Sequence, residues 1–287
     1  MKKKLQANFF WNSPKLTIYE YCCVKSFIKN NFNVDVYSYV KIKLPKGAKL
    51  KNASEILNKN EIKKFIHNKK PHCLAAFSDK FRVELQKKNL GWCFDMYVVF
   101  LKNAKYFLKL EKKNKFIIGE EVKNKINTAV LKINDNLLCN EIAKNIENIG
   151  YKIKWGEIGP SLITKILKKK KIYHKSQPQY KFYAINYKNF NLLVLPTNKK
   201  IANILTKKSL VCHNYNQIFS RFGIPKNIMP PKGSFLYEVF IKYSPELKKL
   251  ESLPESTAHR LLERTNGFKE NLFDLLPSFI RAFKRVV

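Results

Sequence analysis

The sequence predicts an α/β domain over residues 1–245, followed by a helical extension over residues 246–287. Three observations carry this prediction. A strand, an amphipathic helix and a second strand follow one another within the opening segment, which is the pattern of a βαβ unit and of a parallel sheet. A helical pattern at residues 74–89 runs through a glycine into an apolar strand. Composition then shifts near Pro245, beyond which apolar residues recur at helical spacing and four of the six arginines lie. At 45% hydrophobic, the 287-residue chain has enough apolar surface for a real core.

The elements read in order as follows. "QANFFW" is a short buried strand. "NSPKLTIYEYCCVKSFIKNN" places Pro14 just inside a helix start and lines one face with Leu16, Tyr19, Cys23 and Phe27. "VDVYSYV" is the second strand, and "NASEILN" opens a helix capped by Asn52 or Ser54. "LAAFSDKFRVELQKKN" is a helix with a stripe of Leu74, Phe77, Phe81 and Leu85. Gly91 permits a tight turn into "GWCFDMYVVFL", the expected central strand. "KFIIGEE" and "NTAVLKI" are strands, while "NDNLLCNEIAKNIENI" and "GPSLITKILKKKK" are helices; the second ends on lysines, which suit a helix C-terminus. "FYAINY", "NLLVLPT" and "SLVCHNY" read as short strands. In the extension, Phe268, Leu272, Leu276, Phe279 and Phe283 fall at helical spacing, with Pro277 breaking or restarting the helix. "PSFIRAFKRVV" sets an apolar face beside Arg281, Lys284 and Arg285. That pattern suits an anionic membrane surface, or a helix docked on the domain or on a second subunit.

Composition narrows the function classes. No apolar run approaches the roughly 20 residues of a membrane span. The N-terminus lacks the apolar core and cleavage site of a signal peptide, so a cytoplasmic protein is expected. The six cysteines form no CxxC pair and read as buried thiols rather than zinc ligands or disulfides. Net charge is +35, yet only six of the 56 basic residues are arginine. The lysines spread a diffuse positive field that attracts phosphates. No nucleic-acid partner is expected, because no aromatic-basic motif of a nucleic-acid fold is present.

The chemistry gathers in "FSDKFRVELQKKNLGWCFDMYVVFLK". Asp79 and Arg82 are three apart on a helix and share one face. Asp95 stands in an apolar strand, where a charge costs several kcal/mol unless paired. Helix, glycine turn and strand bring the three toward one crevice, and α/β sheets bind ligands at strand carboxyl ends. On the residues alone, Asp79 and Arg82 read equally as a surface ion pair.

This stretch resembles the sugar-binding region of bacterial glycosyltransferases with a DXD motif, the group that also holds yeast-type initiating mannosyltransferases and α-1,4-glycosyltransferases. The family pattern runs roughly S-D-x-x-R, then G-G-x-W-x-D-x-D-V. Ser78, Asp79, Arg82, Gly91, Asp95 and Val98 match it; Leu90 replaces a glycine and Tyr97 replaces the second acid, leaving a degenerate Asp95-Met96-Tyr97. The resemblance extends from residue 8 to about 240. Phe10 and Trp11 match a nucleotide-contacting opening, and "INTAVLKI" puts Asn127 near the sugar. Gly159 and Pro160 match a Gly-Pro helix, and "CHNYNQIF" matches H-x-W-N through His213 and Asn216, with Tyr215 for the tryptophan.

The resemblance implies an A-type glycosyltransferase fold with a mixed central sheet. It implies transfer of a sugar, with retention, from a nucleotide-sugar donor to a glycan or glycolipid acceptor such as lipooligosaccharide, capsule or O-antigen. Asp95, Asp79 and Arg82 would be catalytic. Phe10, Trp11, Asp79, Arg82, Asp95, Asn127, His213 and Asn216 would bind the donor. Mn²⁺ or Mg²⁺ would sit on Asp95 and His213. Glu157 stands either as an acceptor-side acid or as an exposed helix-start acid. Tyr97 is neutral at pH 7 and a poor ligand for a hard divalent ion. Three readings follow: metal held by Asp95, His213 and the diphosphate; no metal, with lysines balancing the diphosphate; or lost activity in a binding relative.

Overall fold

The computed structural model describes residues 4–263. β1 (Gln6–Phe10), α1 (Ile18–Lys29) and β2 (Asn33–Ser38) form the expected βαβ unit. The helix begins at Ile18, not beside Pro14, because Glu20 reaches back to the Thr17 N–H and closes the first turn there. β3 (Ala48–Asn52) is an edge strand whose outward residues include Lys49; its charged pattern hides it from a hydrophobic reading. The helix expected at 52–58 is a single 3₁₀ turn, Ala53–Glu55, capped by the Asn52 side chain. α2 (Glu61–Lys64) precedes the long α3 (Leu74–Lys87).

The expected central strand is two strands, β4 (Trp92–Phe94) and β5 (Val98–Phe100), which join different sheets. α4 (Lys105–Lys113) buries Phe107 and leads into β6 (Phe116–Val122) and β7 (Lys125–Ile133). α5 (Asn136–Ile149) is capped by Asp135, whose side chain accepts from Leu138 N. A wide turn, Glu157–Ser161, opens α6 (Leu162–Lys169). "FYAINY" and "NLLVLPT" are not strands: α7 (Gln179–Phe182), α8 (Asn191–Val194) and intervening 3₁₀ turns occupy them. Their apolar residues are buried, but periodicity does not separate a short buried strand from a buried turn. α9 (Lys199–Thr206), β8 (Val211–His213), α10 (Asn216–Arg221), α11 (Phe235–Tyr243) and α12 (Glu255–Glu263) complete the described chain.

The main sheet runs β3-β2-β1-β4-β7-β6. Its first four strands are parallel and β7 is antiparallel to both neighbours, so the sheet is mixed. Strand order reverses between β1 and β4, the kind of switch point where α/β sheets open a crevice. Alternation along each strand sends neighbours to opposite faces. Phe9, Trp92 and Phe94 pack with Phe27 of α1 and Phe240 of α11. Cys93, Ile118 and Leu131 pack with Phe77 and Phe81 of α3 and Ile142 of α5. Each large apolar side chain so buried contributes about 1.5 to 3 kcal/mol over its exposed state. Two polar residues fix the register at the amino end of β4. Asn8 donates to the Leu90 and Trp92 carbonyls at 2.8 and 3.1 Å. Gln86 donates to the Gly91 carbonyl and accepts from Ile133 N. Gly91 itself has φ +110°, and a Cβ there would meet Gln6 Cβ at 2.7 Å.

The described part of the extension lies on the main core, with Leu253 and Ala258 buried in the same cluster as Phe9 and Phe240. The expectations for Phe268, Leu272, Leu276, Pro277, Phe279, Arg281, Phe283, Lys284 and Arg285 lie outside the described residues. Among the described residues, no helix is long and apolar enough to cross a membrane. The six cysteines are free, and all but Cys73 are buried.

Candidate active site

Asp95 ends β4. Its N–H donates to the Ala129 carbonyl of β7 at 2.8 Å, its carbonyl accepts from Val98 N, and its Oδ1 accepts from Tyr97 N at 2.9 Å. This is an Asx turn, the local structure that aspartate favours against strand continuation. The turn re-aims the chain into β5, which pairs antiparallel with β8, Val98 opposite His213. Asn214 N donates to the Tyr97 carbonyl at 2.9 Å and locks the junction. His213 Nε2 thereby stands 3.6 Å from Asp95 Oδ1.

Arg82 joins the helix to this turn. Its Nη2 lies 2.7 Å from Asp95 Oδ2 and its Nη1 2.9 Å from Asp79 Oδ1, so one guanidinium fork carries two carboxylates. Thr128 donates to Asp79 Oδ1 at 2.8 Å. Gly159 presses on the other Asp79 oxygen, where a Cβ would lie 2.1 Å from Oδ2. The Arg82 and Asp79 side chains are 12% and 11% exposed and Asp95 27%, so the Asp95 end is the open end. Burial pushes the Asp79 carboxyl up, against the pull of Arg82 and Thr128. Burial also opposes ionisation of Asp95, but the His213 ring 3.6 Å away and the Arg82 charge outweigh it and hold the carboxyl well below the usual range.

Tyr97 turns away from Asp95. It is 3% exposed, and its hydroxyl donates to the fully buried Glu20 of α1. Lys226 Nζ donates to the same hydroxyl at 2.8 Å and to Asn216 Oδ1, and lies 3.7 Å from Glu20 Oε1. Burial and the Glu20 charge raise the Tyr97 phenol far above its ordinary value, so it stays protonated. Tyr215 follows at φ 52°, a left-handed conformation that costs a bulky residue about 1 to 3 kcal/mol. Its ring lies 4.3 Å from that of His213, and its hydroxyl donates to the Ile185 carbonyl.

Of the residues expected from sequence, Asp79, Arg82, Asp95 and His213 come together. Trp11 stands 6.0 Å from the Tyr97 ring, at the carboxyl end of β1. Asn216 serves Lys226. Phe10 packs at 4.5 Å on Phe81 behind the site helix. The Asn127 side chain accepts from Ala129 N and shapes its own strand. Glu157 accepts from Lys154 N in a local turn. Thr128, Glu20 and Lys226 were not singled out by sequence reasoning. Thr128 lay beside a noted residue, whereas Glu20 and Lys226 carried no local signal. Among the described residues, no three His, Cys, Asp or Glu side chains gather to hold a metal ion. Asp95 and His213 are two donors; Arg82 occupies one Asp95 oxygen, and the Tyr97 phenol is committed to Glu20. A divalent ion held on Asp95 and His213 would need its remaining donors from a bound ligand.

No protein-family model matches the chain, and no curated protein matches it. Among solved structures it is similar to the apo structure of WbbM, a bifunctional glycosyltransferase. The TM-score is 0.51 at 11% identity, covering 92% of this chain and 52% of that one. The chain thus spans about half the length of the structure it matches. The likeness is one of fold; together with the mixed six-stranded sheet it bears out the fold class expected from the sequence.

Proposed function

We propose that the protein is a glycosyltransferase that binds a nucleotide-sugar donor and moves its sugar, with retention, to a surface-glycan acceptor. The observation that carries the reading is Arg82 bridging Asp79 and Asp95 at the carboxyl ends of the strands, with His213 beside Asp95. Such a cage suits a sugar: carboxylates accept from hydroxyls, and the fork holds them in one geometry. Trp11 offers an aromatic face for a base. The +35 charge draws an anionic donor inward. The acceptor side is proposed by resemblance alone, with the basic segment near Arg281 and Arg285 as a membrane-surface contact.

Calorimetric titration with a panel of nucleotide sugars tests this. Binding is expected for the wild type and is lost in Asp95→Ala and Arg82→Ala, with thermal melting as a check on folding. Absence of binding by any nucleotide or nucleotide sugar would overturn it. A second reading, a binding relative without turnover, is favoured by the loss of the second acid at Tyr97. It predicts donor binding with neither transfer nor hydrolysis across a broad acceptor screen, and observed transfer excludes it.

A further inference from the structure

A donor diphosphate approaching this site meets a charge deficit. Asp79, Arg82 and Asp95 sum formally to one negative charge, and the only arginine among them is committed to both carboxylates. The cation that a departing diphosphate needs must come from elsewhere. The protein's own side chains offer a divalent ion only two donors, and the phenol at the second-acid position faces buried Glu20.

We propose that Lys226 is that cation: its ammonium binds the diphosphate of the donor where a second acid would otherwise recruit a metal. The inference rests on the nucleotide-sugar reading. Lys226 is held from several sides. Its carbonyl accepts from Ile18 N at the start of α1 at 3.1 Å, its Nζ donates to the Tyr97 hydroxyl and to Asn216, and it rides 4.9 Å over the Tyr97 ring. An ammonium has three donors. Two are taken by neutral oxygens, and the ion pair to Glu20 is long at 3.7 Å, so the third donor can turn to an anion that approaches more closely. The side chain is 18% exposed while Glu20 is sealed. The buried anion therefore lies behind a partly exposed cation. Glu20 favours the charged ammonium, against the half-burial that lowers its pKa. Tyr97 and Asn216 are thus the mount of the lysine, which gives the two residues a shared task. A lysine is a compact point charge, suited to a phosphate oxygen.

The test is calorimetric titration of the full chain with ADP, GDP, UDP and CDP, each in EDTA and in Mn²⁺, for wild type, Lys226→Met and Lys226→Arg. Expected is wild-type binding of at least one nucleotide that EDTA leaves unchanged. Lys226→Met weakens it by about tenfold or more and lowers the melting temperature, because buried Glu20 loses its counter-charge, whereas Lys226→Arg keeps that charge and restores part of the binding. Since Lys226→Met melts lower, the Arg variant at wild-type stability decides by whether it binds. Binding that requires Mn²⁺, or binding that Lys226→Met leaves intact, overturns the role of Lys226 and spares the nucleotide-sugar reading. Wild type that binds no nucleotide and no nucleotide sugar overturns both.

Discussion

At Asp79 the protein buries a carboxylate between a guanidinium, a threonine hydroxyl and the backbone of Gly159. Gly159 is required by this contact, since a Cβ would lie 2.1 Å from Asp79 Oδ2. Gly159→Ala is expected to cost about 1 to 3 kcal/mol, because the new methyl displaces a charged, hydrogen-bonded oxygen. In an Asp79→Ala background the same change should cost much less, the obstacle being gone. Urea unfolding of the four proteins of this cycle measures the coupling, and simple additivity would show that Gly159 acts elsewhere. The charged trio was legible in the sequence, since Asp79 and Arg82 share a helix face and Asp95 interrupts an apolar run. Glu20 and Lys226 were not. They meet Tyr97 across 77 and 129 residues, and a lysine among so many lysines carries no mark.

At the scale of elements, the edge of α3 is fastened by Glu61. Its carboxylate takes Lys64, takes Lys80 at 3.1 Å and accepts from the Tyr151 hydroxyl at 2.7 Å, tying α2 to α3 and to the loop after α5. Burial alone would raise its carboxyl, but the hydrogen bonds from Lys64, Tyr151 and Lys80 outweigh it and lower the pKa from 4.5 to about 2. Because the folded form titrates below the unfolded one, the contribution is present above about pH 4.5 and is lost as pH falls toward 2. Glu61→Gln is expected to lower stability at pH 7 by about 1 kcal/mol, a figure discounted for exposure. The difference should vanish near pH 2, as read from denaturant midpoints. Helix α3 was legible from its stripe, of which Phe77, Phe81 and Leu85 are buried and Leu74 is exposed. The break after β4 was not, because Val98–Phe100 stays apolar and the pattern does not distinguish a continuing strand from one re-aimed by an Asx turn.

Over the whole molecule, +35 makes the surface a collector of anions. Going from low to physiological ionic strength should slow association of a nucleoside diphosphate by about threefold or more, with little change in dissociation. Stopped-flow fluorescence separates the two rates, and a salt effect carried by dissociation would place the charge at the contact rather than in the field. The α/β architecture was legible from the opening βαβ unit, whereas the helical turns over 179–198 were not, their burial coming from packing that no local period encodes. The pairing of β5 with β8 has a consequence for biogenesis. All six strands of the main sheet are synthesised by Ile133, but His213, Asn216 and Lys226 come much later. A chain emerging N-terminus first has the sequence of the sheet, and with it Asp79, Arg82 and Asp95, before the residues that complete the site. Long-range pairing of this kind closes slowly. On the proposed reading, ligand binding would report that the late-made segment has docked, and an interrupted chain would lack His213, Asn216 and Lys226.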